Sequence, residues 1–272
     1  MLRDAPKRYA GEVSELEGRR AFVTGGARGI GAGIARALAY AGADVAINFR
    51  ANDAAADNVA DEVRALGRRA IVCRGDVGEA EDCARMAEQA LADFGGIDVF
   101  VHNAGVFSMS RRRSPLLLDQ DASNLVALFG VHALGAFHLC KHFVPGMRAR
   151  KTGSVVVISS ESVRFPGPGR GPYSMAKAAL EMFASTLAKE ERRYGIRVNT
   201  VSPGFVDTDM ARAAWAAMGR SMEQVIAKSP FGFVCTAEDI GNAVVFLCSE
   251  RARYITGVVL QVSGDRFASG AT

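Results

Sequence analysis

Short runs of consecutive apolar residues alternate along this chain with longer stretches in which apolar residues return every three or four positions. The runs Arg20–Thr24, Asp44–Phe49, Arg69–Arg74, 97–102, Val155–Ile158, Ile196–Val201 and Val258–Val262 are four to six residues long and mostly β-branched or aromatic. That pattern predicts strands buried on both faces, since a strand wetted on one side would alternate apolar with polar. Helical spacing fills the intervals: 31–41, 53–67, 79–94, 121–149, 173–194 and 236–249. In the first, Ile30, Ile34, Ala37, Leu38 and Ala41 share a face. The third closes at Gly95-Gly96, and the fourth places Leu125, Leu128, Phe129, His132, Gly135, Ala136, Leu139 and Phe143 for packing. Seven strands alternating with helices predict an α/β fold, a doubly wound parallel sheet with helices on both faces.

No repeat or Pro/Ser linker divides the pattern. We expect a loose N-terminal extension over residues 1–15, polar and without period, and a single domain over 16–272. Within it, 205–232 is rich in Met, Ala and Phe, including Phe205, Met210, Trp215, Met218, Met222 and Phe231, with Pro230 near its end. It reads either as a lid over an apolar pocket or as a helical pair packed on the core.

Composition narrows the function classes. A net charge of +4 over 272 residues gives no argument for nucleic acid. No apolar run reaches the ~20 residues needed to cross a bilayer, and Met1–Gly18 lacks a signal-peptide core, so a cytoplasmic protein is expected. Cys73, Cys83, Cys140, Cys235 and Cys248 are scattered without a C-x-x-C pair, which suits buried thiols in a reducing compartment. His138 and His142 have metal-ligand spacing but no further ligand candidates, and read as helix-surface residues; no metal site is expected. Arg111, Arg112 and Arg113 form either a solvated run or a contact for an acidic partner or an anionic substrate.

Three stretches carry candidate chemistry. In the first, the strand ending at Ser159-Ser160 is followed by a Pro/Gly loop and a helix holding Tyr173 and Lys177. Four residues apart, phenol and ammonium share a helix face. A free tyrosine, with a pKa near ~10, is a poor acid or base at neutral pH. A neighbouring cation favours the phenolate and should bring that pKa down. Ser160 could meet the same substrate oxygen from the other side. In the second, the strand ending at Thr24 runs into G-G-A-R-G-I-G, Gly25–Gly31, and then a helix, the context in which a glycine loop binds a pyrophosphate. In the third, the second strand ends in Asn48, Phe49 and Arg50. A carboxylate there would suit the ribose hydroxyls of NAD, whereas Arg50, with Arg28 nearby, suits the extra phosphate of NADP. Alternatively Arg50 is merely solvated. Asp76 lies past a strand end, where it could accept from an adenine amino group, and Asn103-Ala104-Gly105 is a small-residue turn at another.

Taken together, T-G-G-A-R-G-I-G at 24–31, Asp76-Val77, N-A-G at 103–105, I-S-S at 158–160, Y-x-x-x-K at 173–177 and V-N-T-V-S-P-G at 198–204 resemble the short-chain dehydrogenase/reductase family from about Leu16 to Gly264. The resemblance implies a Rossmann-type sheet of about seven strands and a tetramer or dimer, the tetramer being favoured. It makes Tyr173 the general acid/base, Lys177 the residue that lowers the tyrosine pKa and holds the nicotinamide ribose, and Ser160 a hydrogen-bond partner of the substrate carbonyl. Gly25, Arg28, Gly29, Ile30, Gly31, Arg50, Asp76, Val77, Asn103, Ala104, Gly105, Pro203, Gly204, Val206 and Thr208 fall on its cofactor positions, alongside Tyr173 and Lys177. Where the family has an asparagine that helps hold a water in the proton relay, this chain has His132. An imidazole, which can donate and accept, either keeps the relay, with His132 as a further catalytic residue, or slows turnover or shifts the pH profile. Because Ser160, Tyr173 and Lys177 are intact, activity is expected to persist. His102 stands where an asparagine often precedes N-A-G, and Ser263-Gly264-Asp265 replaces the family's D-G-G.

The function so implied is hydride transfer between a nicotinamide cofactor, NADP(H) favoured over NAD(H), and a small-molecule carbonyl or secondary alcohol. A ketoreductase is the leading form, acting on 3-oxoacyl groups carried by an acyl carrier protein or on a secondary metabolite. For a carrier, Arg111–Arg113, Arg148, Arg150 and Lys151 would supply docking charges. An NAD-dependent alcohol, sugar or steroid dehydrogenase is the alternative, and a cofactor-binding regulator without turnover a more distant one.

Overall fold

The computed structural model describes residues 14–107, 116–209, 211–212, 216, 219, 221–227, 229 and 231–264. The predicted strands form one sheet: β1 (Arg20–Val23), β2 (Asp44–Phe49), β3 (Ala70–Arg74), β4 (Val99–His102), β5 (Gly153–Ile158), β6 (Ile196–Pro203) and β7 (Val259–Val262). All six pairings are parallel, and the order is β3-β2-β1-β4-β5-β6-β7. The connecting helices are α1 (Gly29–Tyr40), α2 (Asp53–Ala65), α3 (Ala80–Phe94), α4 (Ala122–Phe129), α5 (Gly135–Arg150), α6 (Gly171–Glu191), α7 (Met222–Ala227) and α8 (Ala237–Cys248).

Each strand feeds two cores because successive side chains leave opposite faces of the pleat. Ala21 and Val23 of β1, with Val45, Ile47, Val99, Val101, Val156 and Ile158, meet α1, α2 and α8 on one face. Phe22, Ala46, Phe100, Val155 and Val157 meet α3, α5 and α6 on the other. There Phe22, Phe100 and Phe143 pack with centroids 5.0 to 6.3 Å apart. Rings of this size, wholly out of water, each contribute on the order of 2–3 kcal/mol of burial. On the first face α1 and α8 approach so closely that a Cβ on Gly33 would stand 2.6 Å from Ala237, and one on Gly241 2.7 Å from Ala37.

The predicted helix 121–149 is interrupted. Between α4 and α5, Gly130–Leu134 forms a π turn, which adds a residue to the helical register. From Ala122 to Arg150 the whole is long and apolar enough to span a bilayer, but half of its most apolar window is buried within the fold. The helix predicted from Tyr173 opens earlier, at Gly171, with Pro172 in its first turn, where a missing N–H costs nothing. Four of the five cysteines are buried and none is bridged. Most of the predicted N-terminal extension, Arg111–Arg113, Met210, Trp215, Met218 and Pro230 lie outside the described residues.

The strand order reverses between β1 and β4. Beyond the carboxyl ends of these two strands the loops part toward opposite sides, opening a crevice.

Candidate active site

One wall of the crevice is the glycine loop. Gly25 (φ 61°) and Gly29 (φ 52°) take backbone angles that favour glycine, and a Cβ on Gly31 would stand 2.1 Å from the Gly25 carbonyl oxygen. Helix α1 starts after Arg28 without a side-chain cap or an acidic residue in its first turn. Its leading N–H groups therefore have no side-chain acceptor, and the loop around them has room only for backbone. Such a cradle fits a pyrophosphate. Two amides brace it, Asn48 buried and Asn103 half-buried. Asn48 accepts from Gly25 N through Oδ1 and donates through Nδ2 to the Cys73 and Gly75 carbonyls. Asn103 donates to the Thr24 and Gly25 carbonyls. Asn103 thus holds the loop that would hold the cofactor, while Asn48, read from sequence only as a strand end, is a brace.

At the ends of β2 and β3, Arg50 Nη1 lies 3.3 Å from Asp76 Oδ2. Asp76 also accepts from Gly78 N at 2.9 Å. Arg50 remains largely exposed at the end of β2, and Arg28 is exposed in the glycine loop. Val77, beside Asp76, is buried in the core under α3 and α5, so its side chain supports the site from beneath. Past β6, Gly204 packs against Ser263, Val206 bridges to Cys235, and Thr208 reaches within 3.6 Å of a Cβ placed on Gly29. The segment after Pro203 thereby meets the glycine loop, and Ile30 packs below it.

Ser160, Tyr173 and Lys177 converge on the other wall. Ser160 ends the extended segment after β5 and caps a short 3-10 turn by accepting from Ser162 N at 3.2 Å. Tyr173 stands in the first turn of α6. Burial pushes its phenol above the ordinary value, while a hydrogen bond from Ser160 and the charge of Arg170 pull the other way. The direction is opposite to the one expected from sequence, for two reasons. The hydroxyl is withdrawn from water, and burial also pushes Lys177 down to about 7, so the neighbouring cation is itself weakened. Lys177 Nζ donates to the Ile158 carbonyl at 2.6 Å and lies 5.8 Å from the centre of the Tyr173 ring. One turn on, Glu181 sustains the lysine charge and accepts from Ser159 Oγ at 2.6 Å, tying the serine strand end to α6.

His132 joins this group. The π turn sets it wholly buried with its ring edge-on to Tyr173, centroids 5.5 Å apart. Nε2 lies 2.9 Å from the Val106 carbonyl, which can only accept, so the proton sits on Nε2 and Nδ1 is an acceptor. Nδ1 is buried without a partner among the described residues. Burial and the Lys177 charge push the imidazole down to about 2, so it is neutral. Gly105 makes the space, since a Cβ there would lie 2.5 Å from His132 Cε1 and 3.5 Å from Lys177 Nζ.

His102, assigned no role from sequence, ties the two walls. Thr24 Oγ1 accepts from Asn103 N and Ala104 N, each at 2.9 Å, which leaves its proton for His102 Nδ1 at 3.3 Å. His102 Nε2 then donates to the Val131 carbonyl, at 3.2 Å, inside the π turn. Only an alignment of partners distant in sequence could have shown this.

Comparison with known proteins agrees with the geometry. Residues 25–264 match the family model described as enoyl-(acyl carrier protein) reductase. An uncharacterized oxidoreductase of Methylorubrum extorquens is 36% identical over 256 residues, 93% of this chain and 99% of the relative. A 3-oxoacyl-acyl-carrier-protein reductase of Staphylococcus aureus is 31% identical over 92% of this chain and 98% of its own. A crystal structure of a short chain dehydrogenase from Burkholderia cenocepacia in complex with NADP superposes with a TM-score of 0.80 at 33% identity, covering 92% of this chain and 98% of that one.

Proposed function

Since the chain belongs to the short-chain dehydrogenase/reductase family, we propose that it is an NADP(H)-linked oxidoreductase that interconverts a small-molecule ketone and a secondary alcohol. The observation that carries this reading is the meeting of the Ser160 and Tyr173 hydroxyls, with Lys177 one turn along, opposite an uncapped glycine-loop helix. Bound in that crevice, the nicotinamide would supply or accept the hydride. Ser160 would donate to the substrate oxygen and orient it. Tyr173 would give that oxygen its proton in reduction and withdraw it in oxidation. Lys177 would stabilise the phenolate left behind, and Nδ1 of the neutral His132 would accept a hydrogen bond from a water in the relay. Gly25, Gly29 and Gly31 would admit the pyrophosphate, and Asn103 to Gly105 would pass beneath the ribose and nicotinamide.

Arg50 and Arg28 favour NADP(H), as two exposed guanidinium groups at the mouth where a 2′-phosphate would lie. Titration with NADPH and NADH in parallel tests this: tighter NADPH binding, lost in Arg50→Ala, supports it, and tighter NADH binding sinks it. For the chemistry, Tyr173→Phe should lower kcat by about 10²–10⁴-fold while NADPH still binds. Unaltered turnover would remove Tyr173 from the mechanism.

A further feature fits a free small molecule better than a carrier-bound one. Arg148 is paired with the fully buried Glu191, and Arg150 donates to the Ile97 carbonyl beside Asp98. Two of the charges read as carrier contacts, Arg148 and Arg150, are thus engaged by groups of the fold itself. Val225 clusters with Val234, Phe205, Ala211 and Met222 apart from the two main cores, which suits a cover over the crevice. Val126, Phe129, Phe137, Met175 and Met182 are exposed on α4, α5 and α6, and we take this apolar face to be buried in a homo-oligomer, a tetramer by family resemblance.

A further inference from the structure

Beside the Tyr173 hydroxyl stands a charge that the proton-transfer machinery does not use. Arg170 precedes α6 and is partly buried, yet its side chain makes no cap hydrogen bond to the helix. Its guanidinium lies over the Phe107 ring, 5.9 Å from the centroid. Phe107 in turn packs on Tyr173 with centroids 5.2 Å apart. Among the described residues no carboxylate pairs with Arg170, and the neighbouring stretch 108–115 contains no Asp or Glu. The carboxylates of this wall are turned elsewhere: Glu181 holds Ser159 and Arg164, and Glu161 reaches toward Gly204. A guanidinium laid on an aromatic face and denied an internal partner is fixed in orientation with its N–H edge free, the arrangement that takes a carboxylate bidentately.

We infer that Arg170 is the recognition site for a substrate carboxylate, and that the substrate is a short oxo acid, or the corresponding hydroxy acid, rather than a neutral ketone or a thioester. This deepens the oxidoreductase reading and rests on it. Length follows from the stacking. The guanidinium carbon lies 5.9 Å from the centre of the Phe107 ring and the Tyr173 ring 5.2 Å from it, so both polar groups flank one phenyl ring. A substrate hydrogen-bonded to both groups, at about 3 Å each, would cross no more than that one ring, which suits a short chain between carbonyl and carboxylate. The same charge sits close enough to favour the phenolate of Tyr173, and a bound carboxylate would neutralise it. Binding and proton transfer are therefore coupled through one side chain. Phe107, 42% exposed, would cover the chain between the two polar ends.

The test compares 3-oxobutanoate with its methyl ester, equal in reacting carbonyl and different in charge, with NADPH and the full-length protein. The expected result is a higher kcat/KM for the acid, an acid-to-ester ratio that falls at least tenfold in Arg170→Gln, and partial recovery of that ratio in Arg170→Lys. An unaltered ratio in Arg170→Gln, or a wild-type preference for the ester, overturns the inference. A readout free of turnover separates this from failure of the oxidoreductase reading: calorimetric binding of both compounds to Tyr173→Phe loaded with NADPH. Tighter binding of the acid, lost when Arg170→Gln is added, upholds the carboxylate site even if neither compound is reduced by the wild type. Equal binding of acid and ester rejects it.

Discussion

At the scale of single residues, the site is governed by burial. Lys177 is charged below about 7 and neutral above it, and only the ammonium would stabilise the phenolate that proton donation leaves behind. The kcat/KM for reduction should therefore fall as pH rises through about 7, and Lys177→Arg, which stays charged, should carry that limb past pH ~9. A profile flat from pH 6 to 9 in the wild type would contradict this. The same displacement acts on stability. Between about 7 and the ordinary lysine value of ~10.4 the unfolded chain holds a proton that the folded one has released, so stability rises with pH across that window. Melting temperatures in Lys177→Met should lose that slope. His132, neutral at all working pH values, adds no ionisation, so His132→Asn should alter rate without removing a limb; disappearance of one would assign it a titrating role. Ser160, Tyr173 and Lys177 could be found from sequence because their spacing is local. Asn48 and His102 could not, because their partners are backbone or hydroxyl groups 23 to 78 residues away.

Elements were legible where a single periodicity persists. All seven strands and the helices that join them follow from runs of apolar residues, since a sheet covered on both faces leaves no polar alternation to confuse the reading. The π turn was hidden for the complementary reason: apolar residues continue through Gly130–Leu134, and one added residue leaves no compositional mark. Glycines in elements were legible as loop signals but not as contacts. Gly31→Ala would force a methyl group against the Gly25 carbonyl and the Asn103 amide. We expect at least tenfold weaker NADPH binding, measured by fluorescence titration, with the fold retained by circular dichroism. Wild-type affinity would show that the loop can open without loss.

For the whole molecule, strand order decides the place of the site, because only between β1 and β4 do loops diverge. The sequence pattern and the family resemblance predicted a parallel, doubly wound sheet, whereas the order of its strands and the division of the core into two clusters needed the structure. The exposed face of α4, α5 and α6 makes a prediction at this scale. Met182→Glu, at a side chain 67% exposed, should shift the assembly toward smaller species in sedimentation without changing the circular dichroism spectrum. An unchanged sedimentation coefficient would place the contact elsewhere. The same long helix carries a constraint on length. Each residue turns a helix by about 100°, so removing one residue from the π turn would straighten the rod but put its two halves out of phase. Leu139, Phe143 and Met147 could then keep their grip on the sheet only if His132 swung out of the crevice. An insertion or deletion here would therefore disturb the site even where every side chain could be accommodated: the number of residues in the turn couples the seating of a core helix to the chemistry beside it.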